Sequence, residues 1–266
     1  MGPLVGHAMT GLTDEQVDAL CAAPEVVEAF DTVGRPFSPG LHASVEIALV
    51  ALRTNQTQAV IAEQFSTSQP TVSRRCTALR ARITRALERF VPDPVEVTRG
   101  DTILVDGTLV ATSDWADQEN NRMFSGKHHR CGFNVQLAAT VAGALIAIGL
   151  PIHGSRHDAH AWQVSGLAER LTGFDIIADL GYVGIAGMTT GTRRQPGAEL
   201  TDGQRTLNAS LSGIRAAIER AIAHLKNWKV LKTGYRGPLD RFADVLRTVT
   251  ALHFYKQATD PTPDDM

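Results

Sequence analysis

The stretch Asp175–Gly184, DIIADLGYVG, sets an aspartate, Asp179, directly behind Ile176, Ile177 and Ala178. The short apolar run from Phe174 to Ala178 reads as a buried strand, and Gly181 and Gly184 read as the turn that ends it. Asp179 then stands at the strand's carboxyl end. An isolated carboxylate there is costly to desolvate unless it bonds the loop, meets solvent at the sheet edge, or binds a cation. Asp106, in ILVDGT, repeats the arrangement of apolar strand, aspartate and glycine. Adjacent parallel strands would bring both carboxylates to one edge of one sheet, where open α/β folds place their ligands. Taken alone, each aspartate reads first as a turn cap.

Outward from these strands the pattern is consistent. TILVDGT, GFNVQLAATVAG and ALIAIGLPI read as successive strands joined by glycine turns, DAHAWQVSGLAERL as a helix, and the strand ending at Asp179 follows. A Gly-, Thr- and Arg-rich loop leads to a last helix from about Ser212 to Lys229. Strands first, then alternating helix and strand, describe a mixed α/β domain. At ~100° per residue, Ile214, Ile218, Ala221, Leu225 and Trp228 form an apolar stripe on the last helix, with Arg215, Glu219, Ile222 and Lys226 off it. Glu219, flanked by basic neighbours, can face a cleft beside the sheet; by itself it reads as a solvated helix residue.

The chain has 266 residues, 43% hydrophobic and 20% charged, room for one large domain or two small ones. Its net charge of −2 conceals an asymmetry. Residues 1–43 hold six acids against Arg35, residues 44–90 seven arginines against three glutamates, and residues 193–236 nine basic residues against three acids. Two basic blocks behind an acidic leader suit a polyanionic partner better than the total suggests. Cys21, Cys76 and Cys131 lack paired spacing, so neither a disulfide framework nor a thiolate zinc site is implied, and a reducing cytoplasm is expected. The longest apolar run, Leu137 to Ile152, is broken by Gly143, Gly149 and Pro151, so no membrane span is expected. Thr13 and Gln16 make a capping-box pattern in the leader, and Pro92 and Pro94 mark a linker.

Within the first basic block, a helix from about Thr57 to Phe65 is followed by a short turn and a second helix starting near Ser68, with Pro70 in its first turn. Ile61, Ala62, Phe65 and Val72 would form a small core between them, leaving Gln69, Thr71, Ser73, Arg74 and Arg75 outside for base edges and phosphates. The segment resembles the helix-turn-helix of DNA-binding proteins, SQPTVSR most closely, although Ser66 and Thr67 fill a turn where glycine and an aliphatic residue are common. A helical hairpin with a solvated arginine face is the alternative.

Five ordered motifs carry a wider resemblance: VDGT at Asp106, FSGKHHRCGFNVQ from Phe124, GSRHDAHAW from Gly154, ADLGYVG at Asp179 and IERAIAHLKNWKVL at Glu219. Together they resemble the DDE endonuclease domain of insertion-sequence transposases, the prokaryotic relatives of Harbinger transposases. The resemblance implies an α/β RNase H-like mixed sheet flanked by helices over residues 102–254. Before it would lie an acidic helical leader (1–43), an all-α helix-turn-helix domain (44–90) and a linker (91–101), and after it a disordered tail (255–266). It implies that Asp106, Asp179 and Glu219 are catalytic metal ligands for two Mg2+ or Mn2+ ions, Asp106 bridging them. His157 and Asp158 would then lie near the metals, and Lys127 and Lys226 would be phosphate contacts. The zinc-like spacing of His153, His157 and His160 is the competing reading of that segment. The implied protein is a nucleoid-associated transposase that binds double-stranded DNA at terminal inverted repeats, at least as a dimer. A DNA-binding repressor without cleavage and a nuclease without strand transfer are the alternatives.

Overall fold

The computed structural model describes residues 6–28, 30, 38–98, 101–113 and 123–260. They divide into a helical unit drawn from Met1–Val91 and Lys226–Met266, and an α/β unit, Pro92–Leu225. The chain begins with α1 (His7–Thr10), α2 (Asp14–Cys21), α3 (Pro24–Val27), α4 (Leu41–Thr54), α5 (Gln58–Gln64), α6 (Gln69–Leu87) and α7 (Pro94–Thr98). It continues through β1 (Thr102–Ala111), β2 (Phe124–Ser125), β3 (Arg130–Thr140), β4 (Leu145–Ile148) and β5 (Ile152–His153). Then come α8 (Asp158–Val164), α9 (Leu167–Arg170), β6 (Asp175–Ala178), β7 (Met188–Thr189), α10 (Asp202–Leu225) and α11 (Phe242–Thr259).

In the helical unit the sequence signals work locally. Thr13 and Gln16 close the expected capping box on α2, and the Thr57 hydroxyl accepts from the Val60 N–H at the start of α5. Ile61, Ala62, Phe65 and Val72 pack with Ile47 and Val50 of α4 into the core between α5 and α6. Ser66, in the intervening turn, adopts φ +49°, a left-handed conformation that favours glycine. Ser68 precedes α6, but its hydroxyl pairs with the Thr71 side chain and caps no backbone N–H. α11 closes the unit: the Tyr255 hydroxyl donates to the Gln16 carbonyl at 3.0 Å, and Thr248 and Thr84 share a hydroxyl hydrogen bond of 3.0 Å.

Several boundaries differ from those expected. Residues 226–254 cluster with the helical unit. α11 runs to Thr259, so the tail expected to be disordered from 255 is helical over its first five residues, and 261–266 lie outside the described residues. The linker contains the single-turn α7, with Pro94 as its first residue, where the missing N–H costs nothing. The helix expected over 158–171 breaks into α8 and α9 at Gly166, φ +81°.

The sheet of the α/β unit runs β2-β3-β1-β6-β7, with β4 and β5 also pairing to β3. β1 is antiparallel to β3 and parallel to β6, and β6 is parallel to β7. Side-chain alternation assigns the two faces. Ile103, Val105, Ala138, Ile176 and Ala178 pack against Trp162 of α8 and Leu167 of α9, whereas Leu104, Ala139 and Ile177 pack against Ala217, Ile218 and Ala221 of α10. Each fully buried valine, leucine or isoleucine among them contributes about 1.5–3 kcal/mol over leaving it in water. The sheet is thus a rigid layer between two helical faces.

Candidate active site

Parity along β1 decides what each residue of the VDG step meets. Asp106 follows Leu104 by two residues and faces α10; Gly107 follows Val105 by two and faces α8. Val105 pairs with Ala178 across the parallel β1–β6 ladder, so Asp106 and Asp179 are the next residues beyond that pair on neighbouring strands. The expected juxtaposition of the two carboxylates is present.

Asp106 is mostly buried, 16% exposed, with its Oδ2 3.4 Å from Nη2 of Arg215 on α10 and its Oδ1 accepting from the Gly107 N–H at 2.9 Å. Burial pushes its pKa up to about 6; Arg215 opposes the shift, and Asp179 and then Asp158 add to it. Asp179 accepts the Gly181 N–H at 2.7 Å and so caps the short turn Leu180–Tyr182. The opening alternatives of cap and ligand are therefore compatible: Asp179 caps with one oxygen while facing Asp106.

Asp158, the first residue of α8, approaches from the other face. Its Oδ1 accepts from Asn134 Nδ2 at 2.9 Å, and its Oδ2 lies 3.4 Å from Lys127 Nζ. A Cβ on Gly107 would stand 2.6 Å from Asp158 Oδ1, and one on Gly181 would stand 3.0 Å from Asp158 Oδ2. The two glycines that follow Asp106 and Asp179 thus leave room for the Asp158 carboxylate between them. Gln136 completes the network: buried on β3, it donates to Asn134 Oδ1 at 2.8 Å and accepts the Tyr182 hydroxyl. Burial raises the Tyr182 pKa, and Asp158, Asp106 and Asp179 raise it further, so Tyr182 stays a donor.

Beside this network opens a cleft of about 610 Å³, whose lining includes Asp158, Asp179, Lys127, His128, Arg156 and Arg193. Its combination of carboxylates and cations suits a substrate carrying negative charge next to a cation.

The remaining expected site residues are placed less centrally. Glu219 is exposed on α10 and is not among the charges acting on Asp106. The geometry of the helix explains this: Arg215 lies ~60° around the axis from the buried Ile218 and Glu219 ~100°. Ile214, expected in the buried stripe, is 40% exposed, while Ala217 is buried in its stead. His157 is exposed at the start of α8 and lines the cleft. Lys226 lies one residue beyond α10, in the helical unit, half-buried, its pKa lowered by burial and by Lys232. Among the described residues no three His, Cys, Asp or Glu side chains converge closely enough to hold a metal ion, the His153–His160 segment included.

On α6, Gln69 and Arg74 are exposed and Thr71 and Ser73 half-buried. Arg74 donates to Thr71 Oγ1 at 3.1 Å. Arg75 departs from the expected outer face: it is half-buried with its guanidinium 5.2 Å from the Phe30 ring centroid.

Comparison with known proteins settles the family. A model of the DDE superfamily endonucleases matches residues 105–253, more than half of the chain. The chain belongs to the DDE superfamily endonucleases. It is also 32% identical over 202 residues to a Streptomyces albus G protein named as a transposase for insertion sequence element IS112, with 75% of this chain and 74% of that protein covered. The mixed sheet flanked by helices agrees with this membership.

The donor chemistry fits the divalent cation that such a family implies. Asp106 and Asp179 offer oxygen ligands side by side on rigid strands, as a hard cation requires. The Asp106 charge is disfavoured by burial and by two neighbouring carboxylates, and among those influences one guanidinium and one amide favour it. A positive ion would relieve that imbalance. The residues not foreseen as part of this cluster are Arg215, Gln136, Asn134 and Tyr182. The signal for two of them was the polar pair Asn134 and Gln136, two residues apart on an otherwise apolar strand.

Proposed function

We propose that the chain is an insertion-sequence transposase that cuts DNA at its element's terminal inverted repeats and joins the ends to target DNA. The observation that carries this is the adjacent placement of Asp106 and Asp179 at the carboxyl end of the parallel β1–β6 pair, in a chain of the DDE endonuclease family. The sheet order supports an RNase H-like reading of the α/β unit.

Asp106 and Asp179, with Glu219 on the α10 flank, would hold two Mg2+ or Mn2+ ions. Ions held there would supply activation of the attacking water or 3′-hydroxyl and charge neutralisation at the leaving oxygen. The chain's own residues supply the rest. The strands fix the two aspartates. Asn134 and Lys127 hold the Asp158 carboxylate beside them. Lys127, Arg156 and Arg193 line the cleft, where they attract the phosphodiester backbone and orient it. His157 contacts the same strand at the cleft's rim. Lys226 serves as a further phosphate contact.

The helical unit binds duplex DNA in this reading. α5 and α6 act as a helix-turn-helix in which Gln69, Thr71, Ser73 and Arg74 face the major groove. Arg75 steadies the leader through Phe30 and contributes to DNA through its charge. Two copies act together, since two element ends must be held at once, and the working compartment is the nucleoid.

A second reading, a DNA-binding relative that does not cut, draws on two observations: Glu219 is exposed and Asp106 is held by Arg215. Incubating the protein in Mg2+ with DNA bearing the flanking repeats of its own gene separates them. End-specific nicks and strand-transfer products support the transposase, nicks alone a nuclease, and retarded but intact DNA the repressor.

A further inference from the structure

Asp106 carries its ion pair to Arg215 under unusual conditions. Both side chains are largely buried, 16% and 17% exposed, and the contact is single and long, 3.4 Å from Nη2 to Oδ2. The Arg215 Nε is buried and has no hydrogen-bond partner among the described residues. A guanidinium is built to engage a carboxylate or phosphate with two parallel bonds, and here it makes one. Among the described residues, the other charges acting on Asp106 are the carboxylates of Asp179, from the end of β6, and of Asp158, from α8. Arg215 is therefore the positive charge beside the carboxylate a divalent cation would bind, and its fork is only partly used.

We propose that Arg215 holds the cation's place on Asp106 in the metal-free protein, and that cation and phosphodiester binding are cooperative because one displaces Arg215 and the other receives it. The inference rests on Asp106 being a cation ligand, as read above. A cation arriving at Asp106 must break the Arg215 contact and then lie close to a fixed positive charge, both of which oppose binding. A phosphodiester oxygen gives the displaced guanidinium the acceptor it lacks. By linkage, DNA then raises cation affinity and the cation raises DNA affinity by the same factor. The consequence is a site that loads weakly until DNA is present. Arg215 acts on the cation as a positioning residue, through Asp106, and on the phosphodiester by direct contact.

The test is Mn2+ binding by calorimetry to the full chain, alone and with a duplex of its gene-flanking DNA. The comparison takes in the wild type, Arg215→Gln, Arg215→Lys and, as a charge-matched control, Arg220→Gln, whose residue is exposed on the same helix. Without DNA, Arg215→Gln is expected to bind Mn2+ about tenfold more tightly than the wild type. Arg215→Lys, charged but without the fork, lies nearer the wild type, and Arg220→Gln matches it. With DNA the wild type gains affinity by a larger factor than Arg215→Gln. Wild-type Mn2+ binding that Arg215→Gln leaves equal or weakens overturns the proposal while the cation-site reading stands. So does equal tightening by Arg220→Gln, or an equal gain from DNA in Arg215→Gln and the wild type. Absence of Mn2+ binding in every variant, with and without DNA, removes the cation-site reading and this proposal with it.

Discussion

Replacing Asp106 by asparagine should make the metal-free protein more stable at neutral pH, although it removes the central carboxylate of the site. In the folded chain burial raises the Asp106 pKa from 3.8 to about 6. The folded protein therefore keeps a proton that the unfolded chain releases between those values, and stability falls as pH rises through that window. A shift of roughly two units corresponds to a penalty of ~3 kcal/mol once pH is well above the folded value, about half of which is already present at pH 5. Asparagine resembles the protonated acid in shape and lack of charge, and leaves Arg215 in the same situation. Urea unfolding in EDTA at pH 7.5 should therefore show Asp106→Asn stabilised by up to ~3 kcal/mol, falling to about 1.5 kcal/mol at pH 5. Mg2+ should then stabilise the wild type and not the variant. A variant no more stable than wild type at pH 7.5, or equally stabilised at both pH values, would refute the claim that Asp106 is a strained, buried carboxylate.

Three further outcomes follow from particular contacts. Gly107→Ala places a methyl group 2.6 Å from both Asp158 Oδ1 and Gln136 Nε2, and should cost about 1–3 kcal/mol in chemical denaturation; a loss below about 0.5 kcal/mol would mean Asp158 is not seated there. Ser66→Gly relieves the φ of +49° between α5 and α6 and should raise stability by about 1 kcal/mol, with no gain expected if the turn is otherwise built. Arg74→Ala should weaken duplex binding and lower the salt slope of log Kd by about one, while leaving Mn2+ binding unchanged; an unchanged slope would take α6 off the DNA.

What the sequence disclosed, and what it withheld, follows from the range over which each signal acts. The strands carrying Asp106 and leading to Asp179 announced themselves because alternation and apolar runs are local, although β1 runs on through Gly107 to Ala111 where a glycine turn was expected. So did the α5–α6 core, whose four residues are close in sequence. α10 begins at Asp202, ten residues before the expected Ser212; Gly203, Thr206, Asn208, Ser210 and Gly213 have low helix propensity and give its first turns the composition of a loop. Its start was signalled all the same: Thr201 and Gln204 form a reciprocal capping pair, the pattern already recognised at Thr13 and Gln16. The allegiance of residues 226–254 was not legible. It depends on contacts such as Thr248 with Thr84, 164 residues apart. Arg215 was visible as a basic neighbour of Glu219, but its ion pair with Asp106 depends on how α10 is rotated against the sheet, a quantity that packing at Ala217, Ile218 and Ala221 decides.

The central claim is that Asp106, Asp179 and Glu219 form one cation-dependent cutting site. The most direct measurement is Mg2+-dependent nicking of the element ends by the wild type beside Asp106→Ala, Asp179→Ala and Glu219→Ala, with duplex binding measured in parallel. The account predicts end-specific nicking by the wild type, abolished by each substitution while duplex binding persists. Nicking that survives the loss of Asp106 or Asp179 would contradict it; nicking that survives the loss of Glu219 alone would reduce the site to the two adjacent aspartates.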